Sequence, residues 1–168
     1  MAEIWDAYDS NFHKIEGITL VRGEPVPNGM YHLVCEIIVK HVDGTYLLMR
    51  RDYRKHFGGM WELTAGGSAL AGETPLDCAM RELKEETGII ASDLIEAKRI
   101  VHDVHRSCYV EYLCITDWDK DAITLQEGET VEYKWVDKAT ILTMTEDELA
   151  SSRALKILKE TDIYNVIR

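Results

Sequence analysis

Three glutamates, Glu82, Glu85 and Glu86, crowd together just ahead of Gly88. At spacings of three and four residues, a helix projects all three carboxylates from neighbouring points on one face. Like charges so placed oppose one another by roughly 0.2–0.5 kcal/mol a pair. In the last turn each also opposes the negative end of the helix dipole by about 0.3–1 kcal/mol. Arg81 and Lys84 relieve this only in part. Arg81 precedes Glu85 in the less favourable i,i+4 order, and Lys84 lies off the carboxylate face. A divalent cation offsets the repulsion better, and clustered carboxylates with retained waters suit magnesium, which takes oxygen ligands in an octahedron. The chemistry indicated is that of a bound cation acting on a small anionic ligand. For such a triplet taken alone, a solvated acidic face is the alternative.

The element that must carry these carboxylates is a helix with clear punctuation. Thr74 can cap it, Pro75 suits the first helical position, Asp77 sits near the positive end, and Gly88 ends it. Leu76, Ala79, Met80 and Leu83 recur at helical spacing and form the expected buried stripe, leaving the opposite side free for chemistry. Ahead of the helix, YHLVCEIIVKHVDGTYLLMRR holds two aliphatic, β-branched runs around Asp43-Gly44, a strong hairpin signal. A short strand at Trp61 to Ala65 then leads into the Gly66-Gly67 loop. Lys98 to His105, Ser107 to Ile115 and Val131 to Val136 read as further strands, the first two joined by a tight turn. Residues 1–30 read as N-terminal strands turning at Asp9-Ser10-Asn11. Residues 146–168 read as C-terminal helices with Leu149, Leu155, Ile157 and Leu158 inward. Strands and helices mix without βαβ regularity, which predicts an α/β mixed-sheet sandwich.

Bulk properties narrow the function. The 168 residues are one domain's worth, read as a single domain over 1–168, and 46% hydrophobic with 29% charged residues is ordinary for a soluble globular protein. A net charge of -11 argues against gripping extended nucleic acid, which needs a broad basic surface. Cys35, Cys78, Cys108 and Cys114 show no zinc spacing and are expected reduced and mostly buried. No apolar run approaches the roughly 20 residues of a membrane span, and the first residues lack a basic-then-apolar signal, so the cytoplasm is the expected compartment.

The surroundings of the glutamates carry a resemblance. Gly67 is followed after five residues by Glu73. Seven residues later come Arg81-Glu82-Leu83, Lys84, Glu85-Glu86, Thr87 and Gly88-Ile89. This resembles the Nudix box at every specified position. The preceding LLMRR and GGMWELTAGG, and the later VEYKWV, are similar to flanking strands of that superfamily, so residues from about 31 to 145 follow it. The resemblance implies a Nudix α/β/α sandwich around a mixed β-sheet. It also implies hydrolysis of a diphosphate linkage in a nucleoside diphosphate joined to some moiety X, with Mg²⁺ as cofactor and Mn²⁺ as a substitute.

Carried onto this chain, the resemblance implies that Glu82, Glu85 and Glu86 hold the metal, with the main-chain carbonyl of Gly67 in support. Arg81 orients the carboxylates, and Glu73 is either an outer contact or a shaper of the helix start. Metal-bound diphosphate oxygens lose part of their charge, which opens phosphorus to attack by water. A box glutamate, or Glu129 or Glu132 from a later acidic loop, is a candidate general base. The basic run Arg50, Arg51, Arg54 and Lys55 is a candidate phosphate contact, and Trp61 and Tyr109 are candidates to stack on a ring. His102 and His105 alternate along one strand without further support for a site.

Two rivals remain. WDAYDSN and the loop before the box resemble the isopentenyl-diphosphate isomerase branch, but the cysteine acid of that branch aligns with Ala65 or Gly66, neither of which can do acid chemistry. A non-catalytic nucleotide sensor would have no need to keep the full set of carboxylates. Within the hydrolases, the absence of proline after Pro75 weakens an ADP-ribose preference, and Tyr109 lies too far on for a dinucleoside-polyphosphate type. So acidic a chain also fits mRNA decapping poorly. The partner expected is a small diphosphate; the sequence leaves a homodimer through the N-terminal strands open.

Overall fold

The computed structural model describes residues 1–160, so the last eight positions of the expected C-terminal helices lie outside the described residues. The chain opens with β1 (Ile4–Tyr8) and β2 (Lys14–Val21), an antiparallel hairpin. Its turn is where the sequence places it: Asp9 Oδ1 accepts from Asn11 N at 2.8 Å and His13 N at 3.0 Å, the local bonding that lets aspartate build turns. Trp5, Ala7 and Leu20 form a small apolar cluster, and Trp5 stacks on His32 at 4.3 Å. Tyr8 and Tyr31 exchange both backbone hydrogen bonds at 2.9 Å, tying the hairpin to the body.

β3 (His32–His41) and β4 (Thr45–Arg51) flank the Asp43-Gly44 turn, where Gly44 takes φ 95°. Past the turn the strands part; their pairing is confined to Lys40 with Tyr46. The next segment fills the split. The expected strand at Trp61 to Ala65 is instead two pieces, β5 (Trp61–Glu62) on β4 and β6 (Thr64–Ser68) on β3. β6 runs through Gly66-Gly67 rather than ending before it. A Cβ on Gly66 would lie 2.1 Å from the Cys35 carbonyl oxygen, so only glycine permits this approach to β3.

After the helix α1 (Pro75–Thr87) come β7 (Ile95–His102) and β8 (Ser107–Thr116), the latter parallel to β3 along ten pairs; β9 (Thr130–Asp137) pairs antiparallel with β4. His105 therefore lies in the β7–β8 turn, its ring 4.1 Å from that of His102, and not on the strand. α2 (Lys138–Leu142), which the sequence does not signal, precedes α3 (Arg153–Glu160). Leu149 lies outside α3 and bridges to Trp61. One face of the sheet buries Cys35, Ile37, Ala65 and Val110 against Ala79 and Leu83 of α1. The other buries Ile38, Leu48 and Leu113 against Ile141, Ile157 and Leu158. Helices thus cover both faces of a mixed sheet, as the layer pattern requires.

α1 is capped as its sequence predicts. Asp77 N donates to Thr74 Oγ1 at 3.1 Å, Thr74 N donates to Asp77 Oδ2 at 3.2 Å, and Gly88 closes the far end at φ 80°. Its buried arc differs from the expected stripe. Cys78, Ala79, Leu83, Glu86 and Thr87 are buried, while Leu76 is 41% exposed and Met80 only partly covered. The helix is rotated so that Cys78, Ala79 and Leu83 pack on the sheet and Glu86 is carried in toward β6, where a hydrogen-bond donor meets it.

Candidate active site

That donor is the Gly66 N–H, which meets Glu86 Oε2 at 3.1 Å. The three box glutamates border a single cleft of about 600 Å³ that runs over the α3 side of β3 and β6. Gly67 brings backbone and carboxylate together: a Cβ there would lie 2.6 Å from Glu82 Oε1. Glu86 is 9% exposed, and burial, reinforced by Glu62 and Glu82 nearby, pushes its carboxyl up to about 8 against the opposing pull of Gly66 and Lys55. Burial also raises Glu82, opposed by Arg81.

Arg81 is the hub of this corner. Its guanidinium grips Glu73 through Nε–Oε1 at 2.5 Å and Nη2–Oε2 at 3.0 Å. It also donates from Nη1 to Glu82 Oε1 at 2.7 Å and Glu85 Oε2 at 3.2 Å, and from Nη2 to the Ser68 carbonyl at 3.1 Å. Arg81 holds the Glu73 carboxyl below the usual range. Glu73 further accepts from Leu70 N at 2.9 Å, so it organises the loop before α1 and does not border the cleft.

Arg50 and Arg51 are divided by strand alternation, which sends neighbouring side chains to opposite faces, while Arg54 and Lys55 follow in the loop after β4. Arg51 borders the cleft and pairs with Glu62; Lys55 borders it and pairs with Glu129. Arg50 points the other way, 3.1 Å from Glu132 and 5.5 Å from the Trp61 ring centre. The structure therefore places Arg50, Trp61 and Glu132 together outside the cleft, contrary to the expectation that they meet substrate. Arg54 is spent on Asp52, at 2.6 Å. Tyr109 does border the cleft, but the Arg153 guanidinium covers its ring at 3.9 Å.

Five further charged residues that border the cleft escaped the sequence reading: Glu3, Arg22, Glu36, Glu62 and Arg153. For Glu62 a signal was available, since Glu62, Thr64 and Ser68 alternate with the buried Leu63, Ala65 and Ala69. Glu36 is a lone acid amid the aliphatics of β3, a pattern worth marking. Glu3, Arg22 and Arg153 reach the cleft only through tertiary packing and carry no local signal.

The sequence pattern of the NUDIX domain matches residues 30–157. The chain belongs to the NUDIX domain family. An uncharacterized Nudix hydrolase of Listeria monocytogenes is 33% identical over 139 residues, covering 81% of this chain and 80% of the relative. An 8-oxo-dGTP diphosphatase of Proteus vulgaris is 29% identical over 98 residues, 58% of this chain and 85% of that protein. Among solved structures, a Deinococcus radiodurans protein superposes with TM-score 0.75 at 15% identity, covering 94% of this chain and 98% of that one. The Nudix α/β/α sandwich expected from the box is the fold found. As a Nudix hydrolase, the protein is an enzyme of the pyrophosphohydrolase kind.

Two features of the cleft bear on its chemistry. Gly66 has no room for any side chain, and Ala65, 3% exposed, faces the α1 side of the sheet. No acid on either position would reach the cleft, which counts against the isomerase reading. The donors of the Nudix box, in turn, are all oxygens. Among the described residues no three carboxylate, imidazole or thiol groups converge as a finished metal cage, because Glu82 and Glu85 are both turned to Arg81. Donor type and the only partly compensated burial of Glu86 nevertheless fit a hard divalent cation. All four cysteines are free and buried, and among the described residues no helix is long and apolar enough to cross a membrane.

Proposed function

We propose that this Nudix hydrolase cleaves the diphosphate linkage of a nucleoside diphosphate joined to a moiety X, with Mg²⁺ as cofactor and Mn²⁺ able to replace it. The observation that carries this is the meeting of Glu82, Glu85 and Glu86 with Gly67 on one cleft wall that also holds Arg51 and Lys55. Glu82, Glu85, Glu86 and the Gly67 carbonyl would hold the cation. Once bound, the cation supplies charge neutralisation of the diphosphate oxygens.

The chain's own residues do the rest. Arg51 and Lys55 are shared with Glu62 and Glu129, and an arriving phosphate offers both cations a second anion at the cleft surface. Arg81 keeps Glu82 and Glu85 on the cleft wall and can release them singly, since its grip on Glu73 is bidentate and independent. A box glutamate, or Glu129, which also borders the cleft, is the candidate to take a proton from the attacking water.

The test is a panel of nucleoside diphosphate derivatives incubated with Mg²⁺, with products separated to show which bond breaks. Release of a nucleoside monophosphate and the phosphorylated X is the expected outcome. Tight binding of a panel member without cleavage would instead favour a sensor.

A further inference from the structure

On β8, Glu111 stands out. It is the strand's only charged residue, its exposure is 0%, and neither carboxyl oxygen has a hydrogen-bond partner among the described residues. An ionised carboxylate so placed costs several kcal/mol, so the neutral acid is the stable form, and its O–H is then a donor in need of an acceptor. Burial, and then the charge of Glu36, both push Glu111 above the usual carboxyl range. Glu36 is its register partner on β3, on the same face of the sheet.

Glu36 is held from the opposite side by α3. Arg153 donates to it from Nη2 at 2.6 Å and from Nε at 3.4 Å, while lying over Tyr109. Glu36, Tyr109 and Arg153 border the cleft; Glu111 lies beneath them. An ion pair kept only to dock α3 needs no acid under it, since an apolar residue at 111 would fill the space without electrostatic cost. Fixing the Glu36 carboxylate from below accounts for the acid. β3 lies between Glu111 on β8 and the β6 side that carries the box, while Glu36 itself stands in register with Gly66.

We propose that Glu36 and Arg153, with Glu111 as the donor that positions Glu36, form a recognition subsite for X that reads the hydroxyl groups of a neutral, sugar-like moiety. This rests on the hydrolase reading above. One arginine and one carboxylate over a neutral acid leave no net charge to attract a further phosphate. Glu36 keeps acceptor lone pairs and Arg153 keeps N–H donors beyond those they share, the complement of hydroxyls that both donate and accept.

The probes are a nucleoside diphosphate sugar and the methyl ester of the same nucleoside diphosphate, each assayed with Mg²⁺. The wild-type protein is expected to prefer the sugar compound in kcat/KM. Glu36→Gln and Glu111→Leu should each cut that preference about tenfold, through KM rather than kcat. Glu111→Gln, which keeps a donor toward Glu36, should restore most of what Glu111→Leu loses. Glu36→Gln is nearly isosteric and serves if Glu111→Leu fails to fold. Absence of preference in the wild type, or an equal response of both compounds to Glu36→Gln, overturns the subsite. If neither compound is cleaved by the wild type, the hydrolase reading fails separately, and calorimetric titration of the same pair decides. A sugar preference lost in Glu36→Gln then supports the subsite, and equal or absent binding overturns it.

Discussion

Replacing Glu111 by glutamine should make the protein more stable at neutral pH and less stable in acid. The unfolded chain ionises this carboxyl near 4.5, whereas the folded protein holds its proton far beyond that. The groups facing it are Glu36 from β3, Arg153 from α3 and Tyr109 on its own strand. Between the two pKa values the folded state binds more protons than the unfolded state, so stability falls as pH rises. The contribution is fully present below 4.5. It is withdrawn at about 1.4 kcal/mol per pH unit, or roughly 3 kcal/mol by pH 7. Glutamine does not titrate, but its second N–H is left unpaired at a cost of about 1 kcal/mol. The variant should therefore gain about 2 kcal/mol at pH 7 and lose about 1 kcal/mol in acid, with the curves crossing between. Urea unfolding of both proteins across that pH range measures it; with a slope near 2 kcal/mol/M the midpoint moves up by about 1 M at pH 7. Curves that stay parallel would mean that Glu111 is ionised in the folded protein, and the reasoning would fail.

Three other outcomes are expected. Mn²⁺ affinity measured by calorimetry should climb as pH rises toward about 8, because the raised Glu86 carboxyl must lose its proton to serve as a ligand; a flat profile from mildly acidic to neutral pH would contradict this. Arg51→Ala should raise KM for a cleaved substrate roughly tenfold while Arg50→Ala stays close to wild type, since only Arg51 reaches the cleft. Gly66→Ala should destabilise the fold by about 3 kcal/mol in thermal or urea unfolding, because the new methyl meets the Cys35 carbonyl and that backbone has nowhere to move.

What could be read from the sequence, and what could not, follows from the range of the forces involved. The α1 caps, the Asp43-Gly44 turn and the Asp9 turn were legible because each is closed by atoms a few residues apart. The box glutamates were legible because a fixed spacing on one helix sets their mutual geometry. The rotation of α1 was not, since Glu86 turns inward to a donor 20 positions away in sequence. Arg50 and Arg51 are adjacent and equally basic, so nothing local says which faces the cleft; the pleat of β4 and its pairing decide it. Glu36, Glu111 and Arg153 come from β3, β8 and α3, and only folding brings them together.

The N-terminal hairpin precedes the stretch that the family pattern covers, yet it is built into the corner that holds the box glutamates. Ala71 N donates to the Ile4 carbonyl at 2.8 Å and Gly72 N to Asp6 Oδ2 at 2.8 Å, so β1 pins the loop that launches α1. Glu3 and Arg22 stand at the rim of the same cleft, 3.0 Å apart. The part of the chain that shapes the cleft is consequently larger than the matched segment. A version trimmed to the matched segment would keep every box carboxylate while losing the brace on the loop that leads into their helix.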